Sequence, residues 1–213
     1  LEALVRWRHP TRGLIQPAEF IAVAEESGLI NPLGERALSL ACEQFKLWQT
    51  LDIHPRVSVN VSARQLQDPG WLRSVDAVIQ RTGIPPNFLD LEITESMLVG
   101  TPQHVIDTLD TLGQMGVTLT LDDFGTGYSS LSYLKRLPIN ALKIDQSFVR
   151  DLVTDADDRI LAATIVTLGH SLGLEVVAEG VETEEQRRFL VEQSCDLAQG
   201  YLFSPRLPAE AFV

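Results

Sequence analysis

Short runs of alternating apolar and polar residues recur along the chain, separated by longer stretches with apolar residues three or four positions apart. The first spacing is that of a half-buried strand, the second that of an amphipathic helix. Alternation predicts strands over Leu1–Trp7, Val57–Val61, Leu89–Thr94, Thr118–Asp122, Ala141–Asp145 and Glu175–Ala178, with a weaker one over Asp196–Gln199. Helices are predicted over Pro17–Glu26, Leu33–Gln49, Trp71–Arg81, Thr101–Met115, Ser129–Arg136, Ala156–Leu172 and Thr183–Gln193. Pro17 suits a first helical turn, and Gly28, Gly83, Gly116 and Gly173 stand where helices end. Such repetition reads as parallel βαβ units. Seven of them in 213 residues point to an α/β fold, a (β/α) barrel. The G-x-G-x-x-G signature of a doubly wound dinucleotide fold is absent. Because the sequence opens directly in a strand, a closed eight-stranded barrel needs at least one more, which reads as a trimmed domain.

Strand parity then sorts the polar residues. Glu2 and Arg6 share a face with Leu4, and Ser58, Asn60 and Ser62 alternate with three valines. Asp90, Glu92 and Thr94 oppose leucine and isoleucine, as do Thr120 and Asp122, Lys143 and Asp145. Glu179 lies opposite Val176 and Ala178. On any one strand this is equally the pattern of a solvated strand end. Across six strands it describes an apolar face for a helix layer and a polar face for a lumen, with charges at the C-terminal ends where barrel enzymes place their chemistry.

Composition supports a folded domain, with 45% hydrophobic and 22% charged residues. No run approaches the roughly 18 apolar residues of a membrane span, and no signal pattern opens the chain, so a cytoplasmic location is expected. The net charge of −12 leaves no basic footprint for a DNA or RNA duplex. Cys42 and Cys195 lie in no Cys-x-x-Cys pattern and read as buried free thiols rather than a disulfide or zinc ligands. His9, His54, His104 and His170 lack metal-ligand spacing, and no Gly-x-Ser-x-Gly elbow is present. Gly125-Thr126-Gly127 is too short for a phosphate loop and reads as a turn.

What remains is a convergent set of Glu2, Asn60, Glu92, Asp122, Asp123 and Glu179, with Lys143 among them. Its five carboxylates repel one another unless cations intervene. Two divalent cations and Lys143 neutralise the set, leaving Arg6 for a phosphodiester. Oxygen ligands favour Mg²⁺ or Mn²⁺ over zinc. Paired metals about 3.5–4 Å apart activate water for an in-line displacement. Asp122 is expected to end its strand and bridge the metals while Asp123 turns into the loop.

These residues resemble the EAL domain family of cyclic di-GMP phosphodiesterases. The match is Glu2-Ala3-Leu4-Val5-Arg6, Asn60-Val61-Ser62, Glu92-Ile93-Thr94-Glu95, Asp122-Asp123-Phe124-Gly125-Thr126-Gly127, Lys143-Ile144-Asp145, Glu179-Gly180-Val181-Glu182 and Gln199-Gly200. It spans essentially all of residues 1–213, taken as one EAL domain. The resemblance implies a TIM-like (β/α) barrel, two Mg²⁺ or Mn²⁺ ions, and hydrolysis of cyclic di-GMP to linear pGpG. It implies Glu2, Asn60, Glu92 and Asp122 as ligands of one metal and Asp122, Asp123 and Glu179 of the other. By the same resemblance Lys143 would hold the attacking water, Arg6 would meet a substrate phosphate, and Glu95 would anchor the Asp123–Ser129 loop. The resemblance further implies Asp145, Glu182 and Gln199 as support for the metals, water and substrate, and Leu4, Phe203 and Pro205 as parts of substrate-contacting segments. The family's N-terminal antiparallel strand is absent from this sequence, and its usual GGDEF, PAS or receiver neighbours imply a larger signalling protein. A homodimer is expected from the amphipathic segment Tyr128–Leu137 and family precedent. The alternative is a non-enzymatic cyclic di-GMP receptor or interaction module on the same barrel.

Overall fold

The computed structural model describes residues 1–98, 100, 102–127 and 134–212. Their elements begin with β1 (Glu2–Ala3), β2 (Trp7–His9), β3 (Gly13–Ile15), α1 (Pro17–Ser27) and α2 (Ile30–Gln49). There follow β4 (Val57–Asn60), α3 (Ala63–Gln67), α4 (Trp71–Thr82), β5 (Leu89–Thr94), α5 (Glu95–Leu98) and α6 (Gln103–Gln114). The remainder is β6 (Thr118–Phe124), β7 (Ala141–Ile144), α7 (Gln146–Arg150), α8 (Ala156–Ser171), β8 (Glu175–Ala178), α9 (Glu184–Glu192) and β9 (Leu197–Ala198). Contacts group them into two compact units, Leu1–Ile93 with Pro102–Thr118, and Thr94–Thr101 with Leu119–Val213.

In the first unit β1, β4 and β5 lie side by side and parallel, with Glu2 opposite Ser58 and Asn60 opposite Glu92. Five of the six β5 residues are buried, as expected of a parallel strand covered on both faces. Helix α4 buries Trp71, Val75, Val78, Ile79 and Thr82, the three-and-four spacing of one face. Helix α3 starts with a capping box in which Ser62 and Gln65 satisfy each other's backbone N–H groups.

In the second unit β6, β7, β8 and β9 are likewise neighbours and parallel. Leu142, Ile144, Val176 and Ala178 are buried along β7 and β8. Helix α9 opens with a Thr183–Gln186 capping box. Gln186 is itself buried, and its amide donates to the carbonyls of Val149 and Arg150 at the end of α7. That side chain thereby ties the segment after β8 to α7.

All seven predicted strands have an observed counterpart, but three differ in ways that matter. The opening run is not one strand: only Glu2–Ala3 pair with β4, and Trp7–His9 pair antiparallel with β3. Leu4 and Arg6 therefore lie outside regular strand, between β1 and β2. The reason is the turn at 10–13, where His9 Nδ1 accepts from the N–H groups of Thr11 and Arg12 and draws Trp7–His9 into a hairpin. Strand β6 runs past Asp122 to Phe124, with a break in register between Leu121 and Phe124. Strand β7 stops at Ile144 because Asp145 caps α7. Helix α2 starts at Ile30, three residues early, since Pro32 is tolerated in a first turn whose N–H groups have no helical partner.

The predicted helix Ser129–Arg136 and the segment Tyr128–Leu137 fall largely on residues outside those described. Both cysteines are free thiols, and burial pushes Cys42 up to about 12 and Cys195 to about 11. Among the described residues no helix is long and apolar enough to cross a membrane.

Candidate functional site

The second unit concentrates charge at the C-terminal ends of its strands. Asp122 and Asp123 lie near the end of β6, Lys143 lies in β7, and Glu179 follows β8 directly. Lys143 is only 2% exposed. Its Nζ lies 2.5 Å from Glu179 Oε1 and 3.4 Å from Asp122 Oδ1. A buried ammonium is tolerated only when carboxylates compensate its lost hydration, and these two do.

One carboxylate oxygen from each of Asp122, Asp123 and Glu179 lies within 4.8 Å of the other two. Burial, with the neighbouring charges of Asp122 and Asp145, pushes the Asp123 carboxyl above its usual range. Three acidic groups this close, one of them raised, are a donor set that suits a hard divalent cation. Oxygen-only ligands suit a hard divalent cation rather than a thiophilic one, and the residues present fit such an ion.

Backbone geometry sets this arrangement. Asp123 has φ of 54°, in the left-handed region, and its N–H donates to Asp122 Oδ1. Successive strand residues normally face opposite sides, so two adjacent aspartates cannot both reach one cation from a regular strand. The register break at Asp123 re-aims the second carboxylate, as bulges beside functional sites do. Aspartate is among the few non-glycine residues that tolerate this conformation.

Glu95, at the start of α5, is buried, and its Oε2 accepts from the N–H groups of Gly125 (2.9 Å) and Gly127 (3.3 Å). The turn after Asp123 is thus fixed by a carboxylate rather than left loose. Gln199 donates to Glu179 Oε1 at 2.8 Å. Asp145 is the N-cap of α7, and its Oδ1 accepts from Ser147 N–H at 2.9 Å. Glu182 is exposed, with its N–H bonded to Gln186. Phe203 and Pro205 are also exposed, in an irregular segment after β9.

In the first unit, Asn60 Nδ2 donates to Glu2 Oε1 at 2.8 Å. Glu92 is 3% exposed on the neighbouring strand. Below it Ser58 Oγ donates to Asp90, the other buried acid of β5. The structure thus brings Glu2 and Asn60 into contact, as strand parity predicts. Leu4 is exposed, and Arg6 donates to the carbonyl of Val5.

Three residues of this framework have roles that the sequence pattern does not assign. Ser147 donates both its N–H and its hydroxyl to Asp145 Oδ1. Gly180 has φ of 68°, and a Cβ there would stand 2.8 Å from Gln146 Cβ. Gln186 bridges two segments as described. The Asp-x-Ser and Thr-x-x-Gln patterns are the capping signals that mark two of them.

Comparison with known proteins agrees in sequence and in structure. The family model of the EAL domain matches residues 1–206. The chain is 46% identical over 213 residues to MucR of Pseudomonas aeruginosa, a bifunctional diguanylate cyclase/cyclic di-GMP phosphodiesterase, covering 99% of this chain and 31% of that protein. It is 44% identical over 212 residues to the cyclic di-GMP phosphodiesterase PdeR of Escherichia coli, covering 100% of this chain and 32% of that one. The chain thus spans about a third of the length of these curated relatives. A solved structure of the P. aeruginosa MucR phosphodiesterase in complex with c-di-GMP superposes with a TM-score of 0.95 at 45% identity, covering 100% of this chain and 86% of that one. The FimX EAL domain of the same organism, 22% identical with a TM-score of 0.88, shares the fold, covering 96% and 82%. The fold class is accordingly α/β, of the TIM-like barrel type, and the chain belongs to the EAL domain family.

Proposed function

We propose that this chain is a metal-dependent phosphodiesterase that hydrolyses cyclic di-GMP to linear pGpG. The observation that carries the reading is the Asp122–Asp123–Glu179 triad closed around buried Lys143, in an EAL domain whose relatives are named cyclic di-GMP phosphodiesterases. The triad would hold one Mg²⁺ or Mn²⁺ ion, and Glu2, Asn60 and Glu92 would serve a second. Such ions lower the pKa of water and draw charge from phosphoryl oxygens. Lys143 supplies a fixed positive charge and donors beside the triad, and so orients the attacking water. Arg6 binds a substrate phosphate, where a planar guanidinium offers two parallel donors. Gln199 holds Glu179 in one rotamer, and Glu95 holds the turn that carries Asp123. Leu4, Phe203 and Pro205 contact the substrate's bases.

In the same reading residues 1–213 act as one EAL domain of a longer cytoplasmic signalling protein, with sensory or GGDEF domains covalently linked and a homodimer as the working unit. The greater length of its relatives supports the further linked domains.

The test is incubation with cyclic di-GMP in Mg²⁺, in Mn²⁺ and in chelator, followed by chromatography, for this chain and for Glu2→Ala. The expected outcome is pGpG that requires metal and is lost in the variant. Tight cyclic di-GMP binding with no product under any metal condition would replace the enzyme with a receptor.

A further inference from the structure

We infer that Phe148 is a positioning residue for the turn that carries Asp123, its ring acting as a stop on Gly125; the inference deepens the phosphodiesterase reading and rests on it. Gly125 has φ of 97°, and a Cβ built on it would stand 2.8 Å from Phe148 Cε2, 3.2 Å from Phe148 Cζ and 3.4 Å from Ile165 Cδ1. The first distance is shorter than close-packed carbon atoms allow, so the edge of the ring occupies the place a side chain would take. Glycine alone meets both demands here, a left-handed backbone and a ring where its Cβ would be.

The turn needs a stop on this side. The N–H groups of Gly125 and Gly127 both end on one atom, Glu95 Oε2, at 2.9 and 3.3 Å. Two bonds that converge on a single oxygen set a distance but let the turn pivot about that point. Repulsion among Asp122, Asp123 and Glu179, whose carboxylate oxygens lie within 4.8 Å of one another, favours a pivot that carries Asp123 away. The contact with Phe148 and Ile165 is a second point of support, and it removes that freedom. The ring can resist because α7 is held at both ends. Asp145 caps it by accepting from Ser147 N–H, and the Gln186 amide donates to the carbonyls of Val149 and Arg150. Phe148 acts through Gly125, so its effect is on how Asp123 is presented to an ion.

Residues that orient a ligand typically change metal affinity or activity by about 10–100-fold when removed. Phe148→Leu keeps an apolar side chain on α7 but has no atoms in the place of Cε2 and Cζ. It deletes the stop while sparing much of the packing, so the lower end applies. Phe148→Met reaches nearly as far as the ring and is adaptable enough to fill the gap.

The experiment is a Mn²⁺ titration of the substrate-free chain followed by electron paramagnetic resonance, alongside kcat and KM for cyclic di-GMP. Phe148→Leu should weaken one class of Mn²⁺ site about tenfold and lower kcat about tenfold with KM nearly unchanged, and Phe148→Met should restore most of both. Wild-type Mn²⁺ binding in Phe148→Leu overturns the inference, as does a loss that Phe148→Met fails to recover. A chain that hydrolyses nothing yet shows the Mn²⁺ defect and its recovery would sink the phosphodiesterase reading and leave the positioning role standing.

Discussion

The strands of the second unit carry polar side chains at both ends, and the two ends handle them in opposite ways. At the N-terminal end each acceptor meets donors. Asn140 Oδ1 accepts from Leu119 N–H at the start of β6, and Asp196 Oδ2 accepts from Val176 N–H in β8 and from the His170 ring. At the C-terminal end acids face acids, with Asp122, Asp123 and Glu179 gathered around one buried lysine. One end lowers the free energy of the fold by completing backbone hydrogen bonds; the other gives up stability to a charge imbalance that a ligand can correct. Opposite behaviour within the same four strands separates a structural polar cluster from a functional one more sharply than counting charges does.

The largest expected effect is at Lys143. Lys143→Met keeps volume and removes the positive charge that contacts Asp122 and Glu179. Turnover of cyclic di-GMP should fall by about 10²-fold or more, the scale for losing a fixed electrostatic group at a transition state. Removing one partner of a buried ion pair also destabilises by about 3–5 kcal/mol. Chemical denaturation in chelator should show this loss, and saturating Mn²⁺ should recover part of it. Near wild-type turnover in Lys143→Met would end the contrast between the two ends.

Much of this contrast is legible in the amino-acid sequence alone. The period-two alternation locates all seven parallel strands and puts Asp122, Lys143 and Glu179 on one side. Where fold and pattern part, local geometry outweighs alternation. Leu1–Trp7 alternates except at Leu4, but a tight turn after His9 diverts its end into a hairpin that alternation cannot distinguish from a continued strand. The left-handed Asp123 has no sequence signal beyond being an aspartate, so β6 runs longer than parity suggests. Helices α3, α5 and α7 have four or five residues each, too short to show a helical period. Buried bridges such as Gln186 join residues 36 and 37 positions apart, a separation that no local pattern encodes.

A middling effect is expected at Glu95, which belongs to the functional end without carrying its charge imbalance to the triad. Its carboxylate accepts two N–H groups of the turn after Asp123, and Gly127 packs so closely that a Cβ there would lie 3.0 Å from Glu95 Cδ. Glu95→Ala leaves those donors without this acceptor, at a cost of about 1–3 kcal/mol if they stay buried. Turnover should drop about tenfold, with the main change in kcat, while Glu95→Gln, which retains an acceptor oxygen, should keep most of it. Equal defects in the two variants would show that charge at Glu95, rather than its hydrogen bonds, is what the turn requires.

The smallest effect belongs to the structural end and is the one that sharpens the comparison. Burial works against ionisation of Asp196, but the Val176 N–H and the His170 ring outweigh it and hold the carboxyl below its usual range. A carboxylate depressed in the folded state stabilises above its unfolded pKa of about 3.9, and that contribution disappears as pH falls through the folded value. Asp196→Asn keeps shape and an acceptor while removing the charge. Its melting temperature should lie below wild type by no more than about 3 °C at pH 7, since about 1 kcal/mol moves a chain of this size by 2–4 °C. The gap should narrow once the pH drops below about 4. Turnover at pH 7 should be unchanged, because Asp196 bonds the opposite end of β8 from Glu179. A turnover loss in Asp196→Asn without a loss of stability would mean that the two ends are coupled through β8, and that the division of labour between them is false.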